Sequence, residues 1–173
     1  MEEQEDVISL GIDIKLVAVK TFQLSVCVAL AVAAPYFLNQ LITGFIVNAL
    51  LFISASTLGL ESAFLLCLIP SLISIYTGLL PLALAPMIPF IMMGNTLLVL
   101  TFSRLGKKNF WAGAIPAAII KYVFILSVGT ILASSVLKGT AKNVLLMISW
   151  PQLATAIAGA VIAYLFLKII KKI

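Results

Sequence analysis

The amino-acid sequence predicts an all-α integral membrane protein: six transmembrane helices in one compact bundle, with both termini in the cytoplasm. Three observations predict it. Hydrophobic residues make up 63% of the 173 positions and charged ones 10%, and the mean hydropathy is +1.24, which leaves too little polar surface to cover a soluble core. The apolar residues gather into runs of about 20, the length that crosses a ~30 Å hydrocarbon layer. The charges are split unevenly between two sets of connections. The whole chain, 1–173, reads as a single transmembrane domain.

The first span covers about 16–34 and closes at Pro35. The acidic start "MEEQED" is followed by no short apolar stretch with an A-x-A-like site, so no cleavable signal peptide is expected. The second span covers about 42–58 and the third about 62–79, joined by the short turn "TLGLES", where Glu61 can complement the dipole of the third helix. The stretch 77–90, "TGLLPLALAPMIPF", holds three prolines and reads as a broken or re-entrant connection. Such a backbone is tolerated at membrane depth only when protein or a cavity covers it. The fourth span covers about 84–102, the fifth 110–136 and the sixth 151–170, with Ser149 as a possible cap for the last.

With the N-terminus inside, the cytoplasmic segments hold Lys15, Lys20, Arg104, Lys107, Lys108, Lys168, Lys171 and Lys172, whereas the external loops hold Lys138 and Lys142. That bias gives the orientation. It also explains the net charge of +5 without a nucleic-acid partner. The basic turn "SRLGKKN" follows from the same rule, with anionic lipid contact as a secondary effect. The remaining cation is Lys121, inside the fifth span.

Composition removes several function classes. There is no histidine, and Glu61 is the sole acid after Asp13, so neither a metal site nor an enzyme's acid–base or nucleophile–base pair can be assembled. Cys27 and Cys67 lie in apolar runs and read as small buried hydrophobes. No phosphate-binding loop of the G-x-x-x-x-G-K-[ST] type exists. An autonomous ion-coupled carrier usually keeps carboxylates inside the membrane, and the spans have none beyond Glu61. No cofactor is expected. The class that remains is a solute-binding subunit that takes its energy from a partner; the alternative is a small autonomous secondary transporter or a channel-like subunit of a larger complex.

The segment "APMIPFIMMGNTLLVLTFSRL" (85–105) and the end "PQLATAIAGAVIAYLFLKIIKKI" (151–173), in a six-span chain of this length, resemble the fourth and last spans of the substrate-binding (S) component of energy-coupling factor transporters. The resemblance implies a multi-pass protein of a prokaryotic plasma membrane. It would bind a vitamin or other micronutrient from outside, under the external loops. Its partners would be a transmembrane coupling protein and two ATPase subunits. Ala29 and Ala33 in "ALAVAA" would match the family's small-residue pair for docking on the coupling protein. They lie nearer the outer end of the span than the family pattern suggests, and ordinary helix packing is the alternative.

The polar residues inside the spans supply the candidate site. Lys121 lies twelve residues beyond Asn109, about 18 Å into its helix and near the bilayer centre. A lysine there costs about 2.5–3.5 kcal/mol, and it is too central to snorkel. Ala118, Ala117, Ala114 and Gly113 precede it on one face. It reads either as the cation for an anionic substrate group or as a structural lysine on backbone carbonyls freed by Pro116 or before Pro89. Asn95 could share its depth, orienting a polar substrate or tying two helices. Asn48, four residues after Gly44 on a face suited to close packing, reads as structural. Asn39 and Gln40 belong to an external loop that, on the family resemblance, would lid a pocket. Trp150 and Tyr36 read as interface aromatics, with stacking on a flat ligand as the alternative for Trp150. On the sixth helix Thr155, Gly159 and Ala163, spaced by four, predict tight packing on a neighbour.

Overall fold

A computed structural model describes residues 2–135 and 150–173. The outer loop that the sequence assigns to Lys138 and Lys142, the close of the fifth span at Val136 and the Ser149 cap lie outside the described residues. The elements run α1 (Glu2–Phe37), α2 (Gln40–Thr57), α3 (Leu60–Tyr76), a 3-10 helix (Leu82–Met87), α4 (Ile88–Leu105), α5 (Phe110–Ser135) and α6 (Trp150–Ile169). Among the described residues all regular structure is helical.

Five of the helical segments are long and apolar enough to cross a membrane: Ile14–Phe37, Gln40–Thr57, Leu84–Leu105, Phe110–Leu132 and Trp150–Ile169. Large apolar side chains such as Val17, Phe22, Ile119, Val123 and Leu165 point outward, the arrangement that suits lipid rather than water. The sixth helix, α3, is apolar but has only 17 residues. The sequence places its end at about 79; it stops at Tyr76 because Gly78 takes φ +72, a left-handed conformation that glycine adopts without a steric penalty, and Pro81 follows. The proline-rich stretch is broken, as its composition predicts: a turn leads into the 3-10 helix, and α4 starts only at Ile88. Part of it is anchored within the protein: Leu80, Leu84, Met87 and Ile88 are buried with Ile125 of α5 in one apolar cluster, while Pro81, Leu82 and Pro86 are exposed.

Two helix starts are capped by asparagines. Asn39 Oδ1 accepts the Ile42 N–H at 3.0 Å, and Asn109 Oδ1 accepts the Trp111 N–H at 2.9 Å, each satisfying a donor the first turn leaves free. The most extensive helix contacts are α2 with α6 and α4 with α5; α3 lies against α4, α1 and α2. Between α2 and α6 the backbones nearly touch: a Cβ built on Gly159 would come within 2.6 Å of Asn48 Cβ and 2.8 Å of the Ala49 nitrogen. No other residue fits there, and the four-residue spacing of Thr155, Gly159 and Ala163, all buried, is the packing face the sequence predicts.

The helix ends define two poles. The ends of α2 and α4, the start of α5 and the residues after α6 meet around a hollow of about 220 Å³ lined by Ser56, Phe102, Ser103, Lys107 and Lys172. Arg104, Lys107, Lys108, Lys168, Lys171 and Lys172, all exposed, belong to this pole. At the other pole lie the starts of α2 and α6 and the turn after α3.

Candidate functional site

A cavity of about 110 Å³ opens at the pole away from the lysine-rich one. Its mouth is formed by Gln40 at the start of α2, Gln152 at the start of α6, and Leu79 and Leu80 after α3. Its floor holds Asn48, Asn95 and Lys121, with Ser71 and Thr155 on the walls. The eight residues from Gln40 to Asn48 set that floor about 12 Å below the mouth, at 1.5 Å per helical residue.

Lys121 is 3% exposed. The alanines that precede it are closed onto neighbouring helices: Ala114, Ala117 and Ala118 are buried. Its aliphatic stem runs beside Gly94 of α4, where a built Cβ would approach Lys121 Cγ to 3.6 Å. The tight packing at Gly94 is with Ile125 of α5, whose Cδ1 and Cγ1 would each lie 2.9 Å from that Cβ. Nζ donates to Asn48 Oδ1 at 2.6 Å, a short charge-assisted bond. The partner is therefore the amide of another helix, not a backbone carbonyl freed by Pro116 or by the broken segment before Pro89, which was the structural role open to this lysine in the sequence.

Both amide hydrogens of Asn48 are engaged. Its Nδ2 donates to the Gly44 carbonyl at 2.8 Å and to Thr155 Oγ1 at 3.3 Å. Thr155 Oγ1 in turn donates to the Gln152 carbonyl at 3.1 Å. One asparagine thereby ties α2, α5 and α6 together, and the close approach at Gly159 holds it in place. Asn95, 2% exposed, donates from Nδ2 to the Cys67 carbonyl at 3.4 Å, whereas its Oδ1 is shielded and accepts no hydrogen bond from the described residues.

Among the described residues no carboxylate pairs with the cation. Glu61, the sole acid after Asp13, lies in the first turn of α3 at the lysine-rich pole, the far end of the bundle. A buried ammonium held by one neutral amide is under-compensated in a low-dielectric interior, and it retains N–H donors for a further acceptor. The arrangement can bind a small anion. Among the described residues no three metal-ligating side chains of the His, Cys, Asp and Glu types come together.

Of the residues singled out from the sequence, Lys121, Asn95 and Gln40 line one cavity. Asn39 is next to it but serves as the α2 cap. Trp150 is 64% exposed and outside the lining, although Pro151 and Gln152 beside it contribute. Ala29 is exposed and Ala33 half-buried on α1, which carries no lining residue. Asn48, Ser71, Thr155 and Gln152 join the site unannounced. The four-residue spacings from Gly44 to Asn48 and from Thr155 to Gly159 gave the signal for two of them, read there as packing alone; the polar residue of each pair turns out to serve the cavity as well.

No protein-family model matches the chain, and neither does any curated protein or any solved structure.

Proposed function

We propose that this chain is the membrane-embedded solute-binding subunit of a transporter of the energy-coupling factor type, its S component, and that it captures a small micronutrient with an anionic group. The observation that carries this reading is the Lys121 ammonium, buried at the floor of a cavity with a neutral amide as its one hydrogen-bond partner among the described residues. On the positive-inside rule the lysine-rich pole faces the cytoplasm, with both termini on that side of a prokaryotic plasma membrane, so the cavity opens outward, toward the solute. Energy then comes from a transmembrane coupling protein with two ATPase subunits, because the chain has neither a nucleotide loop nor a carboxylate inside its spans beyond Glu61. The exposed Ala29 and the half-buried Ala33 give α1 a low-relief surface suited to that partner.

The test is reconstitution of the purified chain alone in liposomes, together with mass spectrometry of what copurifies after gentle solubilisation. The expected result is solute binding without accumulation under a proton or a sodium gradient, and ATPase subunits among the copurifying proteins. Gradient-driven accumulation by the chain alone would establish an autonomous carrier instead.

A further inference from the structure

The floor of the cavity has a second unmet demand besides the cation. Asn95 Oδ1 is a buried acceptor with no donor among the described residues, and leaving such a group unpaired costs about 1–3 kcal/mol. Which end of the amide is the oxygen follows from its neighbour: the Cys67 carbonyl, 3.4 Å from Nδ2, can face a donor but not a second oxygen. That contact is long for a hydrogen bond, so the amide plane is loosely held. The terminal torsion of asparagine is broad, and a modest turn presents Oδ1 to the cavity that Asn95 already lines.

The demands are complementary, and both residues line the same cavity. Lys121 keeps N–H donors that Asn48 does not use, and Asn95 follows Gly94, the residue against which the lysine stem lies. A simple anion such as a bare carboxylate would answer the lysine and leave Asn95 unpaired. A ligand with a hydroxyl or an amine near its negative group answers both. The cavity volume of about 110 Å³ suits several waters, or a solute of a few heavy atoms in their place. Ser71, buried on the wall and without a hydrogen bond to the described residues, can donate or accept as such a solute requires.

We infer that the solute recognised here is a compact acid carrying an O–H or N–H donor beside its negative group, a hydroxy or amino acid in chemical class, with Lys121 on the anion and Asn95 Oδ1 on the donor. This rests on the solute-binding reading of the cavity and specifies its substrate class.

The matched probes are lactate and propionate, which differ by one hydroxyl, titrated against the purified full chain in detergent by isothermal calorimetry, with thermal shift as a second readout. The wild type is expected to bind lactate about tenfold more tightly than propionate, the ratio that one hydrogen bond of ordinary net strength provides. Asn95→Leu should bring the ratio to about one while propionate binding persists, and Lys121→Met should weaken both acids. The wild-type comparison requires no variant, so a misfolded mutant does not blunt it. Equal wild-type affinities, as would follow if Lys121 itself supplied the donor to Asn95, would overturn the inference, and so would a lactate preference that survives in Asn95→Leu. In either case Lys121-dependent binding of the acids leaves the anion site standing. If neither acid binds in a Lys121-dependent manner, the substrate class and the anion site fall together.

Discussion

Lys121 and Asn48 stand 73 residues apart in sequence and are joined by a 2.6 Å hydrogen bond inside the bundle, so the cation of α5 is held by an amide that α2 and α6 position. The consequences of that pairing can be measured separately from those of the fold.

Lys121→Met removes the charge and keeps the length. It also leaves Asn48 Oδ1 without its donor, a loss of about 1–3 kcal/mol, against which stands relief from a buried, under-compensated ammonium. Thermal stability in detergent should therefore change little. Affinity for an anionic solute should fall by about 1.5–3 kcal/mol, roughly tenfold to over a hundredfold. The opposite pattern, lower stability with unchanged affinity in the folded fraction, would make Lys121 scaffolding.

Asn48→Asp places a carboxylate where the amide oxygen now accepts from Lys121. The lysine then has an internal counter-ion, and a solute anion must compete with it at the same atom. Binding of acids should drop at least tenfold, while a neutral solute of similar size, if one binds, should be unaffected. Undiminished acid binding would show that the anion does not meet Lys121.

Gly159→Ala tests the α2–α6 seam. The new methyl would lie 2.6 Å from Asn48 Cβ and against the α2 backbone, and overpacking of this kind costs about 1–3 kcal/mol. A lower Tm is expected, together with weaker acid binding because Asn48 is displaced. Gly78→Ala is a useful contrast: it strains a φ of +72 in a turn with open space around it, so it should reduce stability without altering acid recognition.

Orientation can be read by labelling sealed cells with an impermeant thiol reagent. Cys27 and Cys67 are buried, so the native background is low. Asn39→Cys, at an exposed position on the cavity pole, should react from outside, and Lys108→Cys, exposed at the lysine-rich pole, should not. External labelling at position 108 would invert the assigned topology.

Much of the fold is legible in the residues because hydrocarbon allows few alternatives: a backbone without water must be a helix or a closed barrel, and apolar runs of about 20 residues fit the helix. The second, fifth and sixth spans read from the sequence as 42–58, 110–136 and 151–170 begin within about two residues of α2, α5 and α6. Deviations arise where a local conformation overrules hydropathy. The apolar run of the third span continues past Tyr76, but Gly78 turns the chain; the fourth begins in a 3-10 segment because Pro86 and Pro89 interrupt the regular helix. α1 continues through Pro35 to Phe37, and the Leu38 N–H still donates to the Ala34 carbonyl at 3.1 Å.

The candidate site was half legible. Lys121, Asn95 and Gln40 stand out as polar residues in an apolar context. Asn48 and Thr155 are equally polar, but each is spaced by four from a glycine, and spacing of that kind predicts contact between helices without saying what the contact encloses. That Lys121 of α5 meets Asn48 of α2 is a property of how those two helices are placed, which no local pattern encodes. Trp150 and Asn39 show the converse: residue types common at binding sites, one exposed at a helix start and the other engaged in holding one together.

The 17 residues of α3 rise about 25 Å, some 5 Å less than an average hydrocarbon layer. Hydrophobic mismatch of that size draws the bilayer inward beside the short helix, at a fraction of a kcal/mol per ångström. Tyr76, 85% exposed at the end of α3, is an interfacial anchor at the depth where the lipid boundary settles. A bilayer crossed by α3 would therefore thin beside it, and thinner membranes should accommodate the protein with less deformation than thicker, sterol-rich ones.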